Sequence, residues 1–287
     1  MASPDKKPLL SYLKVQENFE RKLLTTLERI SAETRKEITK LSAKNGIGAR
    51  IRQDQLRLVL KVLLEQQATL WRLVGSEVQA ARADALAAAV RTNMVYEQVL
   101  LNSVTSAAER RALMRAAIAQ AEVVLDSVIA KMTGLTDYEL SAQVYKSEKL
   151  ANKQVQNLIV NLIGRGASWK ELADAMRGFI KPNTPGGVSY AAKRLGRTEL
   201  NNAFHAGAVI EARNSPFIIG MEWHLSGSHP KPDECNTYAD HGVYKPENVP
   251  GKPHPQCLCY VTPITPSREE FMSKFLDGSY DRYLDRD

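Results

Sequence analysis

VPGKPHPQCLCY, residues 249–260, is the stretch on which the reading of this chain turns. It gathers His254, Cys257 and Cys259 into six positions, stiffened by prolines. If the backbone is extended there, residues two apart point to the same side. Both sulfurs then face one point, and Leu258 and Tyr260 face away. Pro253 and Pro255 restrict the backbone on either side of His254 and reduce the entropy lost when its ring is ordered. Cys235 offers a further sulfur from a separate loop. Three cysteines and one histidine form a standard closed tetrahedral set for structural zinc, and thiolates favour zinc over magnesium or calcium.

All five histidines (His205, His224, His229, His241, His254) and all three cysteines fall between positions 205 and 259. A proline-punctuated region with few large apolar side chains buries too little surface to order itself. A structural zinc contributes on the order of 10 kcal/mol to such a unit. The expectation is one Zn2+ held by Cys235, His254, Cys257 and Cys259 in place of a missing core. Two other readings stand beside it. The cysteines can be small buried residues with His254 packed between prolines, or Cys235 can form a disulfide with one of the others; an odd count excludes a complete disulfide framework. A catalytic use would draw on His224, His229, Asp233 and His241, with Glu222 as general base. Neither HExxH nor HxE followed by PCxxC occurs, and a catalytic zinc needs an open coordination position.

Upstream of the cluster the pattern is helical. Tyr12, Phe19, Leu23, Leu27, Ile30, Ile38 and Leu41 form one apolar stripe, which the KNGIGAR turn at 44–50 interrupts. Leu56, Leu60, Leu63, Leu70, Val74 and Val78 form a second, which runs on through the alanines to Leu101. Ser106 with Glu109 opens a third helix, which Gly134 ends. Thr136 with Glu139 opens a fourth, and Ser168 with Glu171 a shorter one through Phe179. After KPNTPGGVS, residues 181–189, one more helix runs from Tyr190 to about Asn214. FIIGMEWHLS then reads as a strand, and Ser267 with Glu270 caps a last short helix. The fold expected is mainly α, with long N-terminal helices and a small, proline-rich α+β lobe at the C-terminal end. The domain division expected is 1–135, 136–266 and 267–287.

The 287 residues are 44% hydrophobic and 25% charged, enough for a core, and the alanine and leucine bias favours helices over a β-sandwich. A net charge of +7 favours an acidic partner, of which nucleic acid is the commonest; plain solubility is the alternative. Lys36, Lys40, Lys44, Arg50, Arg52 and Arg57 gather around the first turn, where they can meet DNA phosphates without sequence preference or simply form a solvated face. MASPDKKPLL lacks the features of a signal peptide, and no apolar run reaches the ~20 residues that span a bilayer. A soluble protein made in a cytoplasm, with no membrane partner, is expected.

The C-terminal half resembles a known family. Arg197-Thr198-Glu199 with Asn202-Ala203, then Trp223, Ser226, Asp233 and Cys235, follow one another in order. Gly242-Val243-Tyr244, Pro250, His254-Pro255-x-Cys257-x-Cys259 and Pro263 complete the series. This order is similar to that of the phage Mu F-like head morphogenesis family, the minor head proteins encoded beside portal genes. The likeness covers roughly residues 140 to 265. Leu258 stands where the family usually has arginine. Asn236 to Asp240 stand where many members carry another cysteine, which makes His241 a candidate additional ligand. The resemblance implies a non-enzymatic virion protein, portal-associated inside the head, acting in assembly and in packaging or ejection of DNA. The implied partners are portal protein, major capsid or scaffolding protein, and packaged double-stranded DNA. It also singles out Arg197, Glu199, Trp223 and Asp233 as motif residues. A metal-dependent nuclease or hydrolase acting on nucleic acid is the alternative.

Overall fold

Apolar residues recurring every three or four positions dictate most of the molecule. The computed structural model describes residues 5–43, 53–168, 170–172, 174–175, 188–229 and 231–283. Tyr12, Phe19, Leu23, Leu27, Ile30 and Ile38 are all buried along α1 (Lys7–Ala43), because a 3.6-residue period stacks those positions on one face. Leu63, Leu70, Val74 and Val78 do the same on α2 (Gln53–Leu101). Ser106 then accepts the Glu109 N–H at 3.4 Å as α3 (Ala107–Gly164) begins.

Here the structure departs from expectation. Gly134 ends nothing: α3 continues through it and through Thr136 for 58 residues in all. A lone glycine costs a helix only about 1 kcal/mol, and a capping pattern has no effect where the preceding turn is already helical. At Ser168 the expected cap does form. The Ser168 hydroxyl accepts the Glu171 N–H at 3.3 Å, and the Glu171 carboxylate accepts the Ser168 N–H at 2.7 Å. The end of that helix, the proline–glycine connection and the KNGIGAR turn lie outside the described residues, with Lys44, Arg50, Arg52 and the Arg57 side chain. Lys36 and Lys40 are exposed on α1, Lys40 at 2.6 Å from Glu37.

After α4 (Val188–Asn214) the chain changes character. The predicted strand is β1 (Gly220–His224), the centre of a three-stranded antiparallel sheet in the order β2–β1–β3. β2 is Val243–Tyr244 and β3 is Tyr260–Ile264, with Trp223 opposite Val261 and Met221 opposite Tyr244. The short α5 (Glu234–Asp240) separates β1 from β2, and α6 (Arg268–Leu276) opens on the expected Ser267–Glu270 capping box. The chain is thus mainly helical, with a small sheet near its C-terminal end.

Two compact units divide the chain, each discontinuous in sequence. One comprises Glu17–Ala80 and Thr136–Arg197. Ile38, Val59, Leu63, Leu162, Ala167 and Leu172 form a core within it. Close packing there requires glycine at position 196, since a Cβ would sit 2.1 Å from Phe19 Cε1. Arg197 donates two hydrogen bonds to the Glu20 carboxylate, at 2.7 and 3.1 Å.

The other unit, Met1–Gln16, Ala81–Leu135 and Thr198–Asp287, carries the sheet. Phe217, Phe271 and Tyr280 pack with Leu100, Leu101, Val104 and Leu113. Two buried carboxyls face each other between α2 and α4. Asn93 Nδ2 donates to Glu211 Oε2 at 2.6 Å and to the Ala208 carbonyl at 2.8 Å, and Ser215 Oγ donates to Glu97. Burial first, then the charge of Glu97, pushes the Glu211 carboxyl up to about 9, and burial raises Glu97 as well.

Candidate metal centre

Local backbone chemistry sets each donor in place. Asp233 caps α5, its carboxylate accepting the Cys235 N–H at 2.7 Å, while Asn236 Oδ1 accepts the Asp233 N–H at 3.0 Å. This reciprocal cap fixes Cys235 in the first turn with its side chain buried. On the other side of the site, Gln256 adopts a left-handed φ of 57°, the one positive φ outside glycine among the described residues. That turn costs about 1 kcal/mol. Its N–H donates to Thr198 Oγ1 of α4 at 3.2 Å, which holds the turn just ahead of Cys257, Cys259 and β3.

Five donors converge. Cys235 Sγ lies 3.5 Å from Cys257 Sγ and 3.7 Å from His254 Nε2; Cys259 Sγ lies 3.8 Å from His229 Nδ1. The donors fall into two groups, His229–Cys235–Cys259 and Cys235–His254–Cys257, each with all atoms within 4.8 Å and both containing Cys235. An ion of zinc's dimensions, ~2.3 Å from sulfur and ~2.0 Å from imidazole nitrogen, spaces its tetrahedral donors ~3.8 Å (S to S) and ~3.5 Å (S to N) apart. The cluster fits a metal ion. The disulfide alternative does not describe it: all three cysteines are free, and 3.5 Å greatly exceeds a sulfur–sulfur bond of ~2.05 Å.

Protein groups alone ionise the sulfurs unequally. The Cys257 thiol hydrogen bond lowers Cys259 to about 5; the same bond, with burial, raises Cys257, and burial pushes Cys235 up to about 12. A coordinated divalent ion removes that asymmetry, because a ligating thiol gives up its proton. Lys252 is half-buried beside them. Its ammonium donates to the Cys259 carbonyl and stands 5.0 Å over the Trp223 ring. Three thiolates on a divalent ion carry one excess negative charge, and Lys252 lies where it offsets that charge.

Helix α4 grips the lobe along its length. Besides Thr198, His205 donates from Nε2 to the Pro250 carbonyl at 2.8 Å, and Arg213 donates to the carbonyls of Pro246 and Glu247 at 3.0 and 3.2 Å. Burial holds His205 down to about 3, so the ring is neutral and serves as a fixed donor. Its ring also meets Trp223 edge-on at 5.4 Å, and Trp223 meets Tyr238 at 5.1 Å. Glu199 faces Arg82 at 3.8 Å. The motif residues Glu199, Trp223 and Asp233 therefore have structural contacts in this unit, whereas Arg197 belongs to the other.

The structure brings Cys235, His254, Cys257 and Cys259 together and adds His229, which sequence reasoning had considered only for catalysis. A signal for it was present: His229-Pro230 repeats the His254-Pro255 pair and precedes Cys235 by six positions. His241 joins neither group; it ends α5 and stacks on Tyr244 at 4.1 Å. Neither do His224 and Glu222. His224 Nε2 is 2.7 Å from Thr262 Oγ1 and 3.7 Å from Glu222. Comparison with protein-family models, curated proteins and solved structures finds no match to this chain.

Proposed function

We propose that this chain is a phage minor head protein of the Mu F-like kind, its C-terminal lobe stapled by one structural zinc ion. In this reading it sits at the portal inside the head, assembles with portal and with capsid or scaffolding subunits, and contributes to packaging or ejection of DNA. The observation that carries the proposal is that the resemblance residues from Thr198 to Pro263 lie in one compact unit with the cysteines. Thr198 holds the Gln256 turn, Asp233 caps the helix of Cys235, and Trp223 lies under Lys252. Such a set has the character of scaffolding rather than of a substrate site.

Zinc is favoured by the donor chemistry, since buried thiolates with imidazole suit it and leave magnesium or calcium poorly served. A structural role is favoured because protein donors suffice to fill a tetrahedral shell, whereas a catalytic zinc keeps one position for water. Of the residues that argued for a hydrolase, His224 and His241 lie apart from the converging donors, while His229 is one of them and Asp233 stands beside it. The net charge of +7 suits contact with packaged DNA through phosphates. No helix among the described residues is long and apolar enough to cross a membrane.

The test is location. Probing purified virions and proheads with an antibody to this chain should find it in both, and affinity-tagged portal should bring it down. A chain absent from virions and proheads alike contradicts the assembly role.

A further inference from the structure

A tetrahedral ion has four places, and this cluster offers five donors. The two donor groups share Cys235; with all three sulfurs on one ion, the two imidazoles compete for its fourth place. They are held very differently.

Asn236 determines the state of His229. Its Oδ1 accepts the Asp233 N–H at 3.0 Å, which settles which way the amide faces; that same oxygen lies 2.8 Å from His229 Nε2. An amide oxygen only accepts, so Nε2 carries the hydrogen and Nδ1 of the neutral ring keeps its lone pair. Asp233 Oδ1, 3.6 Å from the same Nε2, agrees with a hydrogen there. Nδ1 is the atom that faces Cys259 Sγ at 3.8 Å, and the side chain is only 10% exposed. His229 is thus pre-set as a ligand in the manner of metal-bound histidines, whose far nitrogen donates to an oxygen.

His254 faces oxygens with both nitrogens. Nδ1 is 3.2 Å from the Pro255 carbonyl, and Nε2 is 3.1 Å from Asp233 Oδ2, nearer than its 3.7 Å to Cys235 Sγ. Nε2 is thus turned toward the carboxylate more closely than toward the sulfur. The ring lies at the rim, 37% exposed.

We infer that the ion's ligands are Cys235, Cys257, Cys259 and Nδ1 of His229, and that Asp233 holds His254 outside the shell. The inference rests on the zinc-staple reading above and narrows it. Asn236 then acts as a positioning residue, fixing the ring that binds. Asp233 has two tasks: one oxygen holds the Cys235 backbone, and the other keeps the spare imidazole away.

Cobalt titration of the full chain tests this, because the visible bands of Co2+ report its donor set. Wild type should bind one Co2+ with a tetrahedral three-sulfur, one-nitrogen spectrum. His254→Ala should keep that spectrum, with affinity within about threefold. His229→Ala should lose more than the ~10–100-fold typical of outer-shell changes. Because His229→Ala can unfold the lobe, His229→Cys provides a second readout: it should bind Co2+ and shift the bands to those of a four-sulfur site, which His254→Cys should not do. Loss of binding in His254→Ala, a four-sulfur spectrum from His254→Cys, or unchanged binding in His229→Ala overturns the ligand assignment and leaves the staple intact. A wild-type chain that binds neither Co2+ nor zinc overturns the staple itself.

Discussion

The buried Glu97–Glu211 pair makes stability depend on pH, with a sign and size that can be worked out. Both carboxyls sit inside the sheet-bearing unit, 2% and 4% exposed, and Glu211 is pushed up to about 9. A carboxyl whose pKa is raised on folding favours the folded state fully only below its unfolded value near 4.5, and loses that contribution as pH rises through the folded value. The slope for Glu211 is about 1.4 kcal/mol per pH unit across that window, or about 3 kcal/mol by pH 7. Replacing Glu211 with glutamine keeps the shape and removes the proton. The amide oxygen still accepts from Asn93, and the amide hydrogens can donate to Glu97. Urea unfolding at pH 5, 6, 7 and 8, with zinc present throughout, should show wild type losing stability steadily. Glu211→Gln should show a markedly flatter profile and be the more stable protein at pH 8. Parallel profiles, or a variant less stable than wild type at pH 8, would refute the claim that this pair carries a proton at neutral pH.

Other outcomes follow from single contacts. Gly196→Ala should destabilise by about 1–3 kcal/mol in urea despite gaining helix propensity, because the fully buried Phe19 ring occupies the methyl's place. Arg82→Ala removes the cation facing Glu199, whose side chain is only 16% exposed. It should cost about 3 kcal/mol, and adding Glu199→Gln should recover part of that loss in a double-mutant cycle. Cys257→Ser should abolish metal binding and raise amide exchange from about residue 226 to 260, while α1 and α2 exchange as in wild type.

The helical stripes were legible because burial imposes a period, and every described residue of the first stripe from Tyr12 to Ile38 is buried. Gly134 misled because local propensity is weak against the cooperativity of a long helix. In the metal centre, Cys257 and Cys259 were legible from their spacing alone. His229 was not, because its role depends on Asn236 seven residues later and on a chain reversal that returns Cys259 beside it. The two-carboxylate pair was illegible for a similar reason: Glu97 and Glu211 are 114 positions apart, and only packing of α2 on α4 brings them together.

Metal content of the chain as purified, with none added and no chelator, bears most directly on the idea that an ion orders the C-terminal lobe. Elemental analysis should return one zinc per chain. A value near zero, with the lobe's amides still protected from exchange, would mean that buried thiols and hydrogen bonds hold it without any ion.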